Sequence, residues 1–335
     1  MRIAISGVGT SVGIGIIKSI RKDSEEHFIL GIDNVKSAQS FMVNKFEFMG
    51  KVEFLENCDH IINLINLYTI DVLLISSEYE ISWFSKNKEL IELKTNAKLL
   101  VCPEKWIDLG NDKLETYFFL KKIKVPVAPF FYFDLKKDFW ISGIDYRRLE
   151  SNDFPIFAKP KYGTSNKGIR KFEDICEFEN YSMDDNINGI VLQKSLALEE
   201  NFFEVTSSIV ISRKGEIVSM PFHAKRILNK GISWEIEKFE SNQLDQIVLS
   251  IAKNMEGYLG SLNIQFMGSE EKGFYPLEIN TRFSGTTSFR TACGINEVMY
   301  LSYDLMNKEN KDLLNLKTKS KFPKMYRYIE DYIIQ

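Results

Sequence analysis

Two neighbouring segments, LNIQFMG at residues 262–268 and FYPLEINTRFSG at residues 274–285, carry the densest set of side chains able to do chemistry. Strand alternation predicts Leu262, Ile264 and Phe266 on one face with Leu277 and Ile279. It leaves Asn263, Gln265, Glu278, Asn280 and Arg282 for the other. A carboxylate and an amide two residues apart, with a second amide on the partner strand, form an oxygen-rich cluster suited to Mg²⁺, a hard cation that shares its coordination with nucleotide phosphates. On that reading Gln265, Glu278 and Asn280 are metal ligands, and Arg282 neutralises charge on a phosphoryl group in transfer. A solvated polar sheet face would show the same alternation.

The segment FAKPKYGTSNKGI, residues 157–169, reads as a strand running into a loop bounded by Gly163 and Gly168. Lys159 and Lys161 share a face of that strand. The loop, with Thr164 and Ser165, offers backbone amides and hydroxyls to phosphate oxygens, although an ordinary surface loop has the same composition. It is not a Walker A loop, because Gly168 is followed by Ile169 rather than by Lys and Ser or Thr. Arg226, in PFHAKRI, has a planar guanidinium that matches a triphosphate or a substrate carboxylate; as a plain strand-end charge it needs no ligand. Arg290, in TTSFRTACGIN, is a second candidate for an acidic substrate, against a helix-surface charge.

Gly7, Gly9 and Gly13, with Asp33 further on, approximate a dinucleotide fingerprint. The third glycine is displaced, however, and Val12 occupies its usual place. Three readings stand: a structural turn, a substrate contact at Gly9, and an NAD site. An NAD-dependent dehydrogenase would leave the 262–285 hairpin unexplained.

The elements that position these groups follow from periodicity. Arg2 to Ser6, a glycine turn, a helix over Val12 to Ile20 and a strand over Ile29 to Ile32 form a βαβ unit. Further strands at Asp71 to Ser76 and Leu99 to Cys102 imply an open parallel sheet covered by helices. Near residue 111 the character changes. An amphipathic stretch over Leu114 to Ile123 is followed by strands at Pro155 to Lys159, Gly189 to Gln193, Phe203 to Ile211, Ile217 to Pro221, Ser261 to Gly268 and Phe274 to Asn280. Two hairpins close at Arg213-Lys214-Gly215 and Glu270-Glu271-Lys272-Gly273. The aromatics Phe118, Phe119, Phe130, Phe131 and Phe133 read as core and lid packing.

A net charge of −3 on 335 residues gives no basic field for a nucleic acid, and 44% hydrophobic with 27% charged residues is an ordinary globular balance. No apolar run has the length of a bilayer span, and the N-terminus lacks a signal-peptide pattern, so we expect a cytoplasmic protein with no membrane partner. Four scattered cysteines and three scattered histidines argue against a disulfide framework, a zinc site or a Ser-His-Asp triad.

Taken in order, Asp112-Lys113, the 157–169 loop, VLQ at residues 191–193 with EVTSSIVISRKGEI at 204–217, and NIQF paired with LEINTRFSG resemble the ATP-grasp superfamily. They are most similar to its branch of carbamoyl-phosphate synthase large chains and carboxylate-amine ligases, over roughly residues 1–295. The resemblance implies an α/β protein: a Rossmann-like lobe with a parallel sheet (1–111), an ATP-grasp lid subdomain (112–193) and a C-terminal ATP-grasp subdomain with the metal site (194–335).

It further implies ATP and one or two Mg²⁺ ions as cofactors, with Mn²⁺ able to substitute. Lys113 and Lys159 would hold the α- and β-phosphates, with Lys161 beside them. The loop from Gly163 through Thr164 and Ser165 to Gly168 would cover the nucleotide, Gln193 would lie on the adenine-side strand, and Glu204 would accept from the ribose hydroxyls. Gln265, Glu278 and Asn280 would bind the metal, and Arg282 would steady the transferred phosphoryl group. The implied reaction is attack of a small-molecule carboxylate on the γ-phosphate, then displacement of phosphate by an amine; homodimers are common among such relatives. The runner-up reactions are a carbamoyl-phosphate-type transfer to bicarbonate or carbamate and a nucleotide-binding regulator without turnover. The chain departs from the pattern at Lys194, where relatives commonly have glutamate, and in a phosphate loop with fewer glycines.

Overall fold

The structure, a computed structural model, describes residues 1–52, 58–134, 139–142, 149–163, 168–182, 189–196, 201–229, 232–308, 310–314 and 324–327. Its strands form three sheets. The first is built, apart from its edge strand at Lys45–Phe48, from short apolar runs buried on both faces, the condition that favours parallel pairing. Strands β1 (Arg2–Ser6), β2 (Phe28–Asp33), β3 (Lys45–Phe48), β4 (Val72–Ile75) and β5 (Lys98–Leu100) pair in parallel in the order β3-β2-β1-β4-β5.

Strand alternation splits the sheet's side chains between two cores. Ala4, Leu30 and Leu73 pack with residues of α2 (Asp59–Leu67) and α3 (Ile81–Lys94), while Ile3, Ile5 and Leu74 pack with α1 (Ser11–Ile20). Val298, Met299 and Leu301 of a much later helix, Glu297–Leu305, join that second core. Thr10 caps α1 by accepting from the Gly13 N–H at 2.9 Å. The turn before it needs a residue without a side chain: Gly7 has φ +67°, and a Cβ there would lie 2.5 Å from that of Ser77.

Two further helices, α4 (Glu104–Asn111) and α5 (Lys113–Lys122), follow β5; Asp112 caps α5 by accepting from the amides of Leu114 and Glu115 at 2.9 and 3.1 Å. The second sheet is antiparallel, with β6 (Phe130–Asp134), β7 (Phe139–Ser142), β8 (Ile156–Pro160), β9 (Arg170–Phe172) and β10 (Ile190–Lys194) in the order β7-β6-β10-β8-β9. Helix α6 (Ile175–Ser182) covers it through Phe178, which packs with Phe131, Ile156 and Phe172.

The third sheet, also antiparallel, runs β15-β14-β11-β12-β13-β16, with β11 (Phe203–Ile211), β12 (Phe222–Asn229), β13 (Ile232–Phe239), β14 (Gly260–Ser269), β15 (Gly273–Asn280) and β16 (Met325–Tyr326). Helix α7 (Asn242–Lys253) lays Leu244, Val248 and Ile251 against Val205, Leu262 and Ile264. Helices α8 (Thr287–Ala292) and α9 (Glu297–Leu305) then return to the first sheet. No described helix is long and apolar enough to cross a membrane.

Two expectations need correction. Ile217 to Pro221 is not a strand: beyond a single bridge from Ile217 to Ile211, the Ser219 hydroxyl takes the Val210 N–H at 3.0 Å, and Pro221 has no N–H to give. On the side of β11 away from β14, the paired strand is β12, starting at Phe222. Leu277 also leaves the core face, because the register shifts between Gln265 and Phe266: Gln265 pairs with Glu278, Phe266 with Pro276, and Leu277 is the extra residue.

Helix α4 is seated on β15 through a glycine. A Cβ on Gly110 would stand 2.6 Å from the Ile279 carbonyl oxygen, a backbone atom with nowhere to retreat. Gly110→Ala should therefore destabilise the fold by about 1–3 kcal/mol, read as a lower midpoint in thermal unfolding. An unchanged midpoint would show that α4 does not fix the hairpin.

Candidate functional site

A cavity of about 820 Å³ lies between the second and third sheets and reaches the loops at the carboxyl ends of β1 and β4. Open parallel sheets commonly present ligands at those strand ends. Strand alternation sends Asn263, Gln265 and Met267 of β14 into the cavity, and β15 adds Glu278 and Asn280 opposite them. The displaced Leu277 joins this wall, giving it an apolar patch beside Met267.

Two lysines enter from the second sheet and from α5. Lys159 on β8 donates to the Gln193 side-chain carbonyl on β10, and Lys113 donates to the Gly163 carbonyl at 2.7 Å. Burial pushes Lys159 down to about 8, and the like charge of Lys113 adds to the effect, while Glu278 and Glu204 oppose it. Lys113 is likewise lowered by burial, against Glu278 and Asp112. Partly desolvated neighbouring ammonium groups are an arrangement that an anion relieves. Gln193 lines the cavity and is 2% exposed, and its buried Nε2 has no partner among the described residues.

The opposite wall holds two guanidinium groups, each on a carboxylate. Arg226 donates to Glu204 through Nε at 3.0 Å and to the Gln265 carbonyl at 2.7 Å. Arg282 is ion-paired with Glu78, which the sequence analysis did not single out. Glu78 follows β4 at its carboxyl end, and that position was the available signal. Lys225, the neighbour of Arg226, points the other way and sits over the Phe203 ring at 4.0 Å, as strand alternation requires.

The side chains of Gln265, Glu278 and Asn280 suit a divalent cation. They offer hard oxygens, one of them charged, on facing positions of one hairpin, and the adjacent Asn263 is 1% exposed with an Oδ1 that has no partner among the described residues.

Other sequence candidates fall elsewhere. Lys161 lies outside the cavity wall, paired with Asp112 at 3.2 Å. Gly163 (φ +130°) and Gly168 (φ +74°) bracket the loop, with Lys113 bonded to the first; Thr164 and Ser165 lie outside the described residues. Gly9 donates its N–H to Asp33 at 2.8 Å and does not line the cavity, whereas Thr10 and Ser11 do. Arg290 is 1% exposed rather than on a helix surface or in the cavity. It is ion-paired with the buried Glu297 and donates to Ser284 at 3.1 Å and Thr286 at 2.8 Å, and those two residues do line the cavity.

No family model matches the chain. A carbamoyl-phosphate synthase from Methanobrevibacter smithii is 27% identical over 229 residues, which cover 65% of this chain and 58% of that protein; the chain thus spans under two thirds of its relative's length. Among solved structures, N5-carboxyaminoimidazole synthetase from Staphylococcus aureus matches with a TM-score of 0.68 at 16% identity, covering 92% of this chain and 77% of that one. The biotin carboxylase domain of the Hydrogenobacter thermophilus 2-oxoglutarate carboxylase, in complex with MgADP, ADP and bicarbonate, matches with a TM-score of 0.66 at 15% identity, covering 92% and 70%. The similarity to ATP-grasp proteins read from the motifs thus extends to the fold.

Lys159 gives the site a pH signature. Its charge is present below about 8 and lost as pH rises through that value. MgADP affinity, titrated calorimetrically from pH 6.5 to 9.5, should weaken above that point with a limiting slope of about tenfold per unit. Lys159→Arg should flatten the profile, and a flat profile in the unaltered protein would remove Lys159 from the site.

Proposed function

We propose that the protein is an ATP-dependent ligase that activates a carboxylate as an acyl phosphate and passes the acyl group to an amine, releasing ADP and phosphate. The observation that carries this reading is the gathering, in one cavity, of Lys113 and Lys159 on one wall and the Gln265, Glu278 and Asn280 oxygens with Arg282 on the other. In this reading the chain comprises a Rossmann-like lobe (1–111), a lid (112–193) and a C-terminal subdomain (194–335).

Lys113 and Lys159 hold the nucleotide phosphates, Glu204 accepts from the ribose, and the unused Gln193 donor meets the base edge. Gln265, Glu278 and Asn280 are the residues that would hold Mg²⁺, which when bound supplies charge neutralisation between the phosphates. A substrate carboxylate oxygen attacks the γ-phosphorus; the bond to the bridging oxygen breaks, and ADP leaves with that electron pair. The amine nitrogen then attacks the acyl carbon, the carbon–oxygen bond to phosphate breaks, and the nitrogen loses a proton. Arg282 stays beside the phosphoryl group through both steps. Its charge is worth most where water is excluded.

A second reading, phosphoryl transfer to bicarbonate or carbamate, uses the same atoms. It is favoured by the relative named carbamoyl-phosphate synthase and by the bicarbonate bound in the Hydrogenobacter neighbour. ADP and phosphate release from MgATP, screened with pools of amino acids, small carboxylates, amines and bicarbonate, separates the two. Release that requires one acid supports the ligase; release with bicarbonate alone supports the second reading; no binding or turnover in any pool would sink both. Glu278→Gln removes the carboxylate of the proposed metal set and should cut MgATP turnover about 100-fold or more while leaving thermal unfolding unchanged.

A further inference from the structure

Arg327 follows β16 at the outer edge of the third sheet, far in sequence from the residues that line the cavity. Its backbone N–H bonds to the Trp234 carbonyl at 2.8 Å, fixing it to β13. Its Nε donates to the Ser233 carbonyl at 3.0 Å and its Nη2 to the Gly285 carbonyl at 2.8 Å. Ser233 and Gly285 both line the large cavity. The guanidinium therefore bridges the sheet edge to the loop that follows Arg282.

These two carbonyls use part of a five-donor fork and leave its charge unopposed. No carboxylate of the described residues pairs with Arg327; burial lowers its pKa, and no neighbouring charge opposes that. The guanidinium groups that line the cavity are different, since Arg226 lies on Glu204 and Arg282 on Glu78. Holding a partly buried cation on backbone carbonyls alone is costly unless an anion arrives.

The surroundings are shaped for one. A Cβ on Gly285 would lie 3.8 Å from Arg327 Nη2 and 3.7 Å from the Ser11 hydroxyl, so the bare backbone of Gly285 separates the guanidinium from the first turn of α1. Thr10 and the helix pair the amides of Gly13 and Ile14, whereas those of Ser11 and Val12, both cavity-lining, are ones the helix cannot pair itself. The positive end of a ten-residue helix faces the same space.

The proposed phosphate groups, Lys113 and Lys159, come from α5 and β8, whereas this corner is built from α1, β16 and the loop after Arg282. An anion held here is accordingly neither ATP nor the carboxylate being phosphorylated at Arg282. We propose that Arg327, with Ser11 and the first turn of α1, binds a second, non-reacting carboxylate of a substrate. Resting on the ligase reading, this narrows the substrate class: either the acid is dicarboxylic or the amine is an amino acid.

The test uses the full chain saturated with MgADP and calorimetric titration of glutarate, L-glutamate and L-alanine, with propionate and methylamine as probes lacking the second carboxylate. At least one of the first three should bind, and more tightly than propionate and methylamine. Glutarate binding places the second carboxylate on the acid, and L-alanine binding places it on the amine. Arg327→Gln should weaken that probe about tenfold or more, Arg327→Lys less, and Ser11→Ala a few-fold, since a charge-assisted fork is lost, blunted or merely trimmed. MgADP affinity should stay within about twofold, the readout of an intact nucleotide site.

Equal affinity for the probe in the unaltered and Arg327→Gln proteins overturns the proposal, as does failure of all three carboxylate probes to bind. If Arg327→Gln itself disturbs MgADP binding, Arg327→Lys and Ser11→Ala decide by the same comparison. Failure of MgADP to bind the unaltered protein would instead remove the ligase reading beneath it.

Discussion

The register of the β14–β15 hairpin governs whether this chain has a site at all. With a side-chain period of two, a slip of one residue would turn Leu262 and Ile264 into the cavity and bury Asn263 and Gln265 in the core. The apolar face prevents that slip, because Leu262, Ile264 and Phe266 are fully buried in the core that α7 covers. Burial of hydrocarbon on one side thus sets the chemistry on the other. The shift after Gln265 refines this arrangement, keeping Glu278 opposite Gln265 while releasing Leu277 to the cavity.

Electrostatics impose the next constraint. The cavity collects five cations, Lys113, Lys159, Lys194, Arg226 and Arg282, against the carboxylates Glu78, Glu204 and Glu278. Each guanidinium is held by a carboxylate, and this keeps its side chain ordered and its charge partly neutralised. Among the described residues, Lys113 and Lys159 have no such close carboxylate, and burial already lowers both. A polyphosphate with its metal would reverse that balance on the lysine side first. The arginine pairs would then exchange an internal carboxylate for a ligand oxygen, a trade between charge-assisted hydrogen bonds of similar strength.

Much of this was legible because it is local. Alternation within single strands located the oxygen set, and the glycine turn with its βαβ pattern gave the parallel sheet. What escaped the sequence depends on pairing between distant segments. Glu78 acquires meaning only when β4 is placed so that its end faces Arg282. Lys161 and Lys159 share a strand face on paper, yet Asp112, brought over by α5, takes Lys161 out of the cavity wall. The missing strand after Ile217 has a local cause, a serine hydroxyl substituting for a backbone acceptor, that periodicity cannot register. Arg327 carries no motif, and only the docking of β16 beside β13 brings it against Ser233 and Gly285, two residues of the cavity wall.

The burial of Arg290 explains how the loop after Arg282 keeps its shape. Removing an arginine and a glutamate from water costs several kcal/mol per ion, and such pairs seldom add net stability. Here the Arg290 and Glu297 side chains are 2% and 0% exposed. Their remaining donors and acceptors are met by Ser261, Ser284, Thr286 and Thr287, a network that leaves few alternative arrangements for the segment between Arg282 and α8. That segment holds Ser284, Gly285 and Thr286 on the cavity wall, and the Gly285 carbonyl is one of the two that seat Arg327. A buried charge pair that is weak as a source of stability is therefore well suited to positioning, since breaking it would leave an unpaired ion and disturb the corner where α1, β16 and the loop after Arg282 meet.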